Sequence, residues 1–91
     1  MGVCLVVGAG DGVGGAIARA FGREGLEVCI TRRARNIGQL EELAQSIRDD
    51  GGKAHAYGVD ARSEDEMIAL FDRIEREVGP LEVVVFNIGA N

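Results

Sequence analysis

Apolar residues along this chain follow two alternating patterns. Four stretches are short and dense in apolar, mostly β-branched or small residues: Val3-Cys4-Leu5-Val6-Val7, Leu26-Glu27-Val28-Cys29-Ile30-Thr31, Ala54-His55-Ala56-Tyr57-Gly58-Val59 and Leu81-Glu82-Val83-Val84-Val85-Phe86. The first, bounded by glycine, reads as a strand buried on both faces; the others read as strands too, the third weaker in pattern and the fourth the most apolar. Between them the apolar positions recur every three or four residues, which is helical spacing. The first such segment runs from about Val13 to Glu24, with Val13, Ile17, Ala20 and Phe21 on one face and Gly25 as its stop. The second places Ile37, Leu40, Leu43, Ala44 and Ile47 together and ends at Gly51-Gly52. The third places Met67, Leu70, Phe71, Ile74 and Val78 together; Ser63 and Glu66 form a capping box at its start, and Gly79-Pro80 ends it.

The order is therefore βαβαβαβ with short connections. Such alternation predicts an α/β fold, a doubly wound parallel sheet of Rossmann-like type with strand order 3-2-1-4. In that arrangement ligands sit outside the carboxyl ends of the strands, where the strand order reverses. The residues following each strand thus carry most of the functional information.

The first strand breaks into Gly8-Ala9-Gly10-Asp11-Gly12-Val13-Gly14-Gly15. A strand, a glycine turn and a helix together aim backbone N–H groups and the helix's positive end at a phosphate. Two glycine registers compete. Gly10-x-Gly12-x-x-Gly15 satisfies the general dinucleotide fingerprint, whereas Gly8-x-x-x-Gly12-x-Gly14 begins where the strand stops. The second register is preferred, because the first glycine should turn the chain directly off the strand. No Gly-Lys-Ser/Thr follows, which excludes a nucleoside-triphosphate P-loop. Asp11, inside the loop, is unfavourable beside phosphates unless it points away.

After the second strand comes Thr31-Arg32-Arg33-Ala34-Arg35. An acidic residue at this position would hold ribose hydroxyls and repel a 2′-phosphate; a guanidinium pairs with that phosphate instead. This predicts NADP rather than NAD, with Arg32 as first contact and Arg33 as second, and Arg35 at the surface. The competing reading is a solvated basic turn. After the third strand, Asp60-Ala61 offers a carboxylate to an adenine amino group, or simply an acid near a helix N-terminus. After the fourth, Asn87-Ile88-Gly89 lets backbone approach the adenosine side, with the Asn87 amide tying neighbouring strands. His55 is expected on a solvent face of its strand.

Composition narrows the classes. Ninety-one residues make one domain at most, and 46% hydrophobic residues suffice for a core. A net charge of −5 argues against nucleic acid and anionic membranes as partners. No apolar run approaches the roughly 18 residues of a membrane span, and no leader pattern opens the chain, so a cytoplasmic location is expected. Cys4 and Cys29 fall in strands and read as packed thiols, with no metal-ligand spacing around them.

These pieces together resemble the short-chain dehydrogenase/reductase family. Its Thr-Gly-x-x-x-Gly-x-Gly loop is similar to Val7-Gly8-Ala9-Gly10-Asp11-Gly12-Val13-Gly14, with Val7 in place of the threonine whose hydroxyl braces the loop. Its adenine-contacting aspartate corresponds to Asp60, with Ala61 for the frequent valine. Its Asn-Asn-Ala-Gly motif corresponds to Phe86-Asn87-Ile88-Gly89, departing at the first and third positions. The resemblance spans essentially all 91 residues. It implies an N-terminal NAD(P)-binding portion, residues 1–91, whose cofactor contacts are Gly8, Asp11, Gly12, Val13, Gly14, Arg32, Arg33, Asp60, Ala61, Asn87, Ile88 and Gly89. A complete enzyme of this kind moves a hydride between nicotinamide and a small carbonyl or alcohol substrate, and is expected to be a homo-oligomer. The catalytic serine and Tyr-x-x-x-Lys pair lie downstream of the Asn-x-Gly motif in the family. Here Tyr57 and Lys53 are the only tyrosine and lysine, and both precede it. The fourth strand is also expected to present an apolar edge if nothing pairs with it.

Two other readings stand beside this one. A non-catalytic dinucleotide-binding or sensor module would keep the cofactor site without the catalytic half. An S-adenosylmethionine-dependent methyltransferase shares the glycine turn but wants an acid where Thr31-Arg32-Arg33 stands.

Overall fold

A computed structural model describes residues 2–9 and 12–87. Four parallel strands, β1 (Val3–Val7), β2 (Glu27–Arg32), β3 (Lys53–Gly58) and β4 (Leu81–Phe86), form one sheet in the order β3-β2-β1-β4. Three helices connect them: α1 (Val13–Arg23), α2 (Ile37–Asp49) and α3 (Glu64–Glu77), with a 3₁₀ turn at Ala34–Asn36 leading into α2. This is the expected fold and strand order. Val7 pairs with Thr31 on one side and with Phe86 on the other, and Arg32 pairs with Gly58. The carboxyl ends of all four strands therefore finish level, along one rim.

The sheet is covered on both faces. Cys4, Val6, Val28, Ile30 and Ala54 point to one side and pack with Ala18 of α1 and with Leu40, Leu43, Ala44 and Ile47 of α2. Val3, Leu5, Val7 and Cys29 point to the other and pack with Leu70 and Ile74 of α3. Every residue of β1 is buried, as a central parallel strand must be. β4 is only half-buried through Val83, Val84 and Val85, and Phe86 is 62% exposed.

The helix ends follow the chain's punctuation. In α1 the Leu26 N–H donates to the Phe21 carbonyl and the Gly25 N–H to the Gly22 carbonyl; Gly52 and Gly51 repeat this pattern on Ile47 and Arg48 of α2. Both are Schellman closures, which satisfy the last carbonyls of each helix before the chain enters the next strand. At α3 the Ser63 side chain accepts from the Glu66 N–H at 3.3 Å, so half of the expected capping box forms. The Glu66 carboxylate does not return to Ser63. It reaches further back and accepts from the Asp60 N–H at 3.0 Å, fixing the turn after β3.

Three expectations need correction. The buried face of α1 consists of Gly14, Gly15 and Ala18, with Ile17 and Phe21 partly covered, while Val13 and Ala20 face solvent. Hydropathy misplaces this face because glycines let the helix approach the sheet closely. Ile37 likewise lies outside the α2 core face, at 39% exposure. His55 is not free on a solvent face: it is half-buried, and its Nε2 meets the Glu27 carboxylate on the neighbouring strand.

The two thiols face opposite sides of the sheet, in separate clusters. Burial pushes Cys4 up to about 11 and Cys29 up to about 12 from an ordinary 9.0. Since the thiolate is the nucleophile, both should react with iodoacetamide at pH 8 at least ~100-fold more slowly than free cysteine. Rates should rise to the free value in denaturant. Labelling of either thiol at the free rate in native buffer would contradict this packing.

Candidate functional site

The site forms where β1 ends. Gly8 takes a φ of +87°, and its N–H and that of Ala9 both donate to the Thr31 carbonyl at 3.1 and 2.9 Å. The Thr31 hydroxyl adds a weaker contact, accepting from Gly8 N–H at 3.4 Å. Thr31 is the single buried polar residue of the described core, at 1% exposure. It supplies from the neighbouring strand a brace that Val7, lacking a hydroxyl, cannot give. That role is invisible in sequence, because a backbone carbonyl does most of it.

Gly12 then caps α1 with φ +93° and ψ −140°, a conformation essentially restricted to glycine. Among the described residues no side chain caps α1 and no acidic residue occupies its first turn, an arrangement that suits an anion at its first N–H groups. Gly14 lies against the strand ends. A Cβ there would stand 2.7 Å from the Gly8 carbonyl oxygen, 2.8 Å from Asn87 Nδ2 and 3.0 Å from Ala9 Cα. Gly8, Gly12 and Gly14 thus make the turn, the cap and the close approach of helix to strands, while Gly10, which opens the competing register, lies outside the described residues. Asp11, along with Ile88 and Gly89, lies outside the described residues.

Beside this turn an open cleft of about 420 Å³ runs along the rim. Gly8, Thr31 and Asn87 line its inner side, and Val59, Asp60 and Ala61 the β3 side. Arg32, Arg33, Arg35 and Arg62 also line it, with Asn36 among them. Of the expected contacts, Gly8, Arg32, Arg33, Asp60, Ala61 and Asn87 meet at this one cleft, adjoining the Gly12–Gly14 turn. Val13, 67% exposed, stands at the start of α1 beside the loop.

Two arginines enter that the strand-end reading left out. Arg35, expected merely at the surface, reaches the cleft because the 3₁₀ turn folds back toward β3. Gly58 permits this, since a Cβ there would lie 2.9 Å from Ala34 Cα. Arg62 comes from the turn after β3. Its backbone N–H and Nε donate to Asp60 Oδ1 at 2.9 and 3.2 Å, and its Nη2 reaches Oδ2 at 3.4 Å. These contacts, the Arg62 side chain first, hold the Asp60 carboxyl below its ordinary range. Arg32 donates to Gln39 Oε1 of α2 at 2.8 Å, while Arg33 and Arg35 make no side-chain hydrogen bond among the described residues. With Arg62 paired to Asp60, the guanidinium groups of Arg32, Arg33 and Arg35 outnumber the Glu66 carboxylate behind the turn and leave the cleft locally positive in a chain of net charge −5.

Asn87 continues the ladder by its backbone, donating to the Val7 carbonyl at 2.8 Å. The strand tie expected of its side-chain amide is, among the described residues, made by this N–H; the amide itself sits over Gly14. Tyr57 stands apart from the cleft, and burial pushes its hydroxyl up to about 12. Among the described residues no group of His, Cys, Asp and Glu is arranged to hold a metal.

This open, positive cleft beside a close-approach glycine turn suits an extended phosphorylated ligand such as a dinucleotide. Comparison with known proteins shows the family. Residues 2–91 match the short chain dehydrogenase family. The chain is 37% identical over 87 residues to the cis-4-hydroxycyclohexanecarboxylate dehydrogenase of Sinomonas cyclohexanicum, covering 96% of this chain and 34% of that protein. Among solved structures, it superposes on a metagenomic short-chain oxidoreductase in complex with NADP with a TM-score of 0.91 at 31% identity, covering 98% of this chain and 39% of that one. The F189W actinorhodin polyketide ketoreductase with NADPH gives a TM-score of 0.88 at 36% identity, over 97% of this chain and 33% of that one. The chain thus spans about a third of the length of the curated relatives it matches. It belongs to the short-chain dehydrogenase/reductase family and corresponds to the N-terminal part of its members.

Proposed function

We propose that these residues form the cofactor site of an NADP(H)-dependent oxidoreductase acting on a small carbonyl or alcohol. The observation that carries this reading is the cluster of arginines at the ends of β2 and β3, with Thr31 where an acid would favour NAD. The two related structures bound to NADP and NADPH support the same cofactor. The nicotinamide, when bound, accepts or donates a hydride. This chain's part is to bind and orient. Gly8, Gly12 and Gly14 let backbone come close to the pyrophosphate, and the start of α1 faces its charge. Arg32 and Arg33 hold the 2′-phosphate by charge-assisted hydrogen bonds, and Asp60 accepts from the adenine. The proton of the alcohol is handled elsewhere, since Tyr57 and Lys53 are not at the cleft.

The test is an assay of the protein at its full native length against a panel of aldehydes and ketones. NADPH should be consumed with at least one of them, and faster than NADH. Tight NADPH binding with no turnover on any carbonyl or alcohol would replace this reading with that of a binding module.

A further inference from the structure

Asp60 poses an electrostatic problem for the proposed cofactor. Its carboxylate shares the cleft with Arg32 and Arg33. A bare carboxylate within a few ångströms of a 2′-phosphate would repel it, by about 1 kcal/mol even in water at 4 Å and more near a protein surface. Arg62 resolves the conflict. Its guanidinium spans both Asp60 oxygens, and its backbone N–H donates to one of them as well. Three donors on a carboxylate with about four acceptor positions still leave room for an adenine amino group. The Arg62 backbone N–H fixes the carboxylate within a turn whose Asp60 N–H is itself held by Glu66. The carboxylate therefore cannot easily swing away from the cleft.

We infer that Arg62 is a specificity-determining residue for NADP(H): it masks the Asp60 charge so that one carboxylate can serve the adenine beside a bound 2′-phosphate. The inference rests on the cofactor reading above. The pair is exposed, with side-chain exposures of 69% for Arg62 and 37% for Asp60, so it adds little to stability. Its effect is on which anion the cleft accepts.

The experiment is a double-mutant cycle on the ratio of NADPH to NADH affinity, measured by titration of the protein. Adenine contacts are common to both nucleotides and cancel in the ratio. Arg62→Gln should lower the ratio about tenfold. In an Asp60→Asn background, where no charge needs masking, Arg62→Gln should change it less than about twofold. Thermal melts check that each variant folds; Arg62→Lys, which keeps the charge, should retain most of the ratio and is the second variant if Arg62→Gln does not fold. An unchanged ratio in Arg62→Gln overturns the inference. An equal fall with and without the Asp60 carboxylate also overturns it, because Arg62 would then contact the phosphate directly. Absence of any NADPH preference in the unsubstituted protein overturns the cofactor reading itself, and the inference with it.

Discussion

Replacing Gly14 by alanine is expected to lower the melting temperature by roughly 5–15 °C and to weaken NADPH and NADH binding alike. The cause is steric. The new methyl would come within 3.0 Å of three atoms, two of which, the Gly8 oxygen and Ala9 Cα, are backbone and cannot rotate aside. Relief requires α1 to move off the strand ends or the glycine turn to move out. Such overpacking costs about 1–3 kcal/mol. Alanine's better helix propensity, at most about 1 kcal/mol and less in a first turn, opposes this but does not win. Both nucleotides suffer because the displaced turn would serve the pyrophosphate they share. Gly38→Ala is the matched control: it also lies in a first helical turn, but a Cβ there meets nothing within 4 Å. It should be neutral or stabilising by up to about 1 kcal/mol and leave binding untouched. Equal behaviour of the two alanine variants would show that Gly14 is not a contact point between α1 and the strands.

The second large effect separates the two nucleotides. Arg32→Asp with Arg33→Asp should weaken NADPH binding by roughly 100-fold or more and NADH binding by less than about fivefold. Each charge-assisted hydrogen bond is worth about 1.5–3 kcal/mol, and losing two removes at least two powers of ten. Two carboxylates in their place add repulsion. Arg32→Asp alone should weaken NADPH much more than NADH. It also frees Gln39, but that contact is exposed and its loss should leave the melting temperature within about 3 °C. The discrimination should shrink as salt rises from 0.05 to 0.5 M, because the cleft is open to solvent. Equal losses for both nucleotides would mean that neither arginine reads the 2′-phosphate.

The strands and their order are legible because a parallel strand leaves a dense apolar run, as the buried Val3–Val7 and the half-buried Leu81–Phe86 do. Shared ends at one rim then follow from topology, so Gly8, Arg32, Asp60 and Asn87 could be expected near one another before any coordinates. The inner face of α1 was not legible. Gly14, Gly15 and Ala18 carry almost no hydropathy, and their inward position follows from how near the helix must come. Arg62 and Arg35 were missed for a related reason. Neither directly follows a strand, and each reaches the cleft through a turn whose path is set by packing: the 3₁₀ turn over Gly58 for Arg35, and the Glu66-anchored turn for Arg62. In sequence Thr31 offers only the absence of an acid, whereas its structural work is done by a carbonyl that every residue has.

The central claim is that this cleft reads a 2′-phosphate. Calorimetric titration of the protein with NADPH and with NADH, at one salt concentration, tests it most directly. The account predicts that NADPH binds at least about tenfold more tightly, a difference of about 1.4 kcal/mol. Equal affinities, tighter binding of NADH, or no binding of either would contradict it.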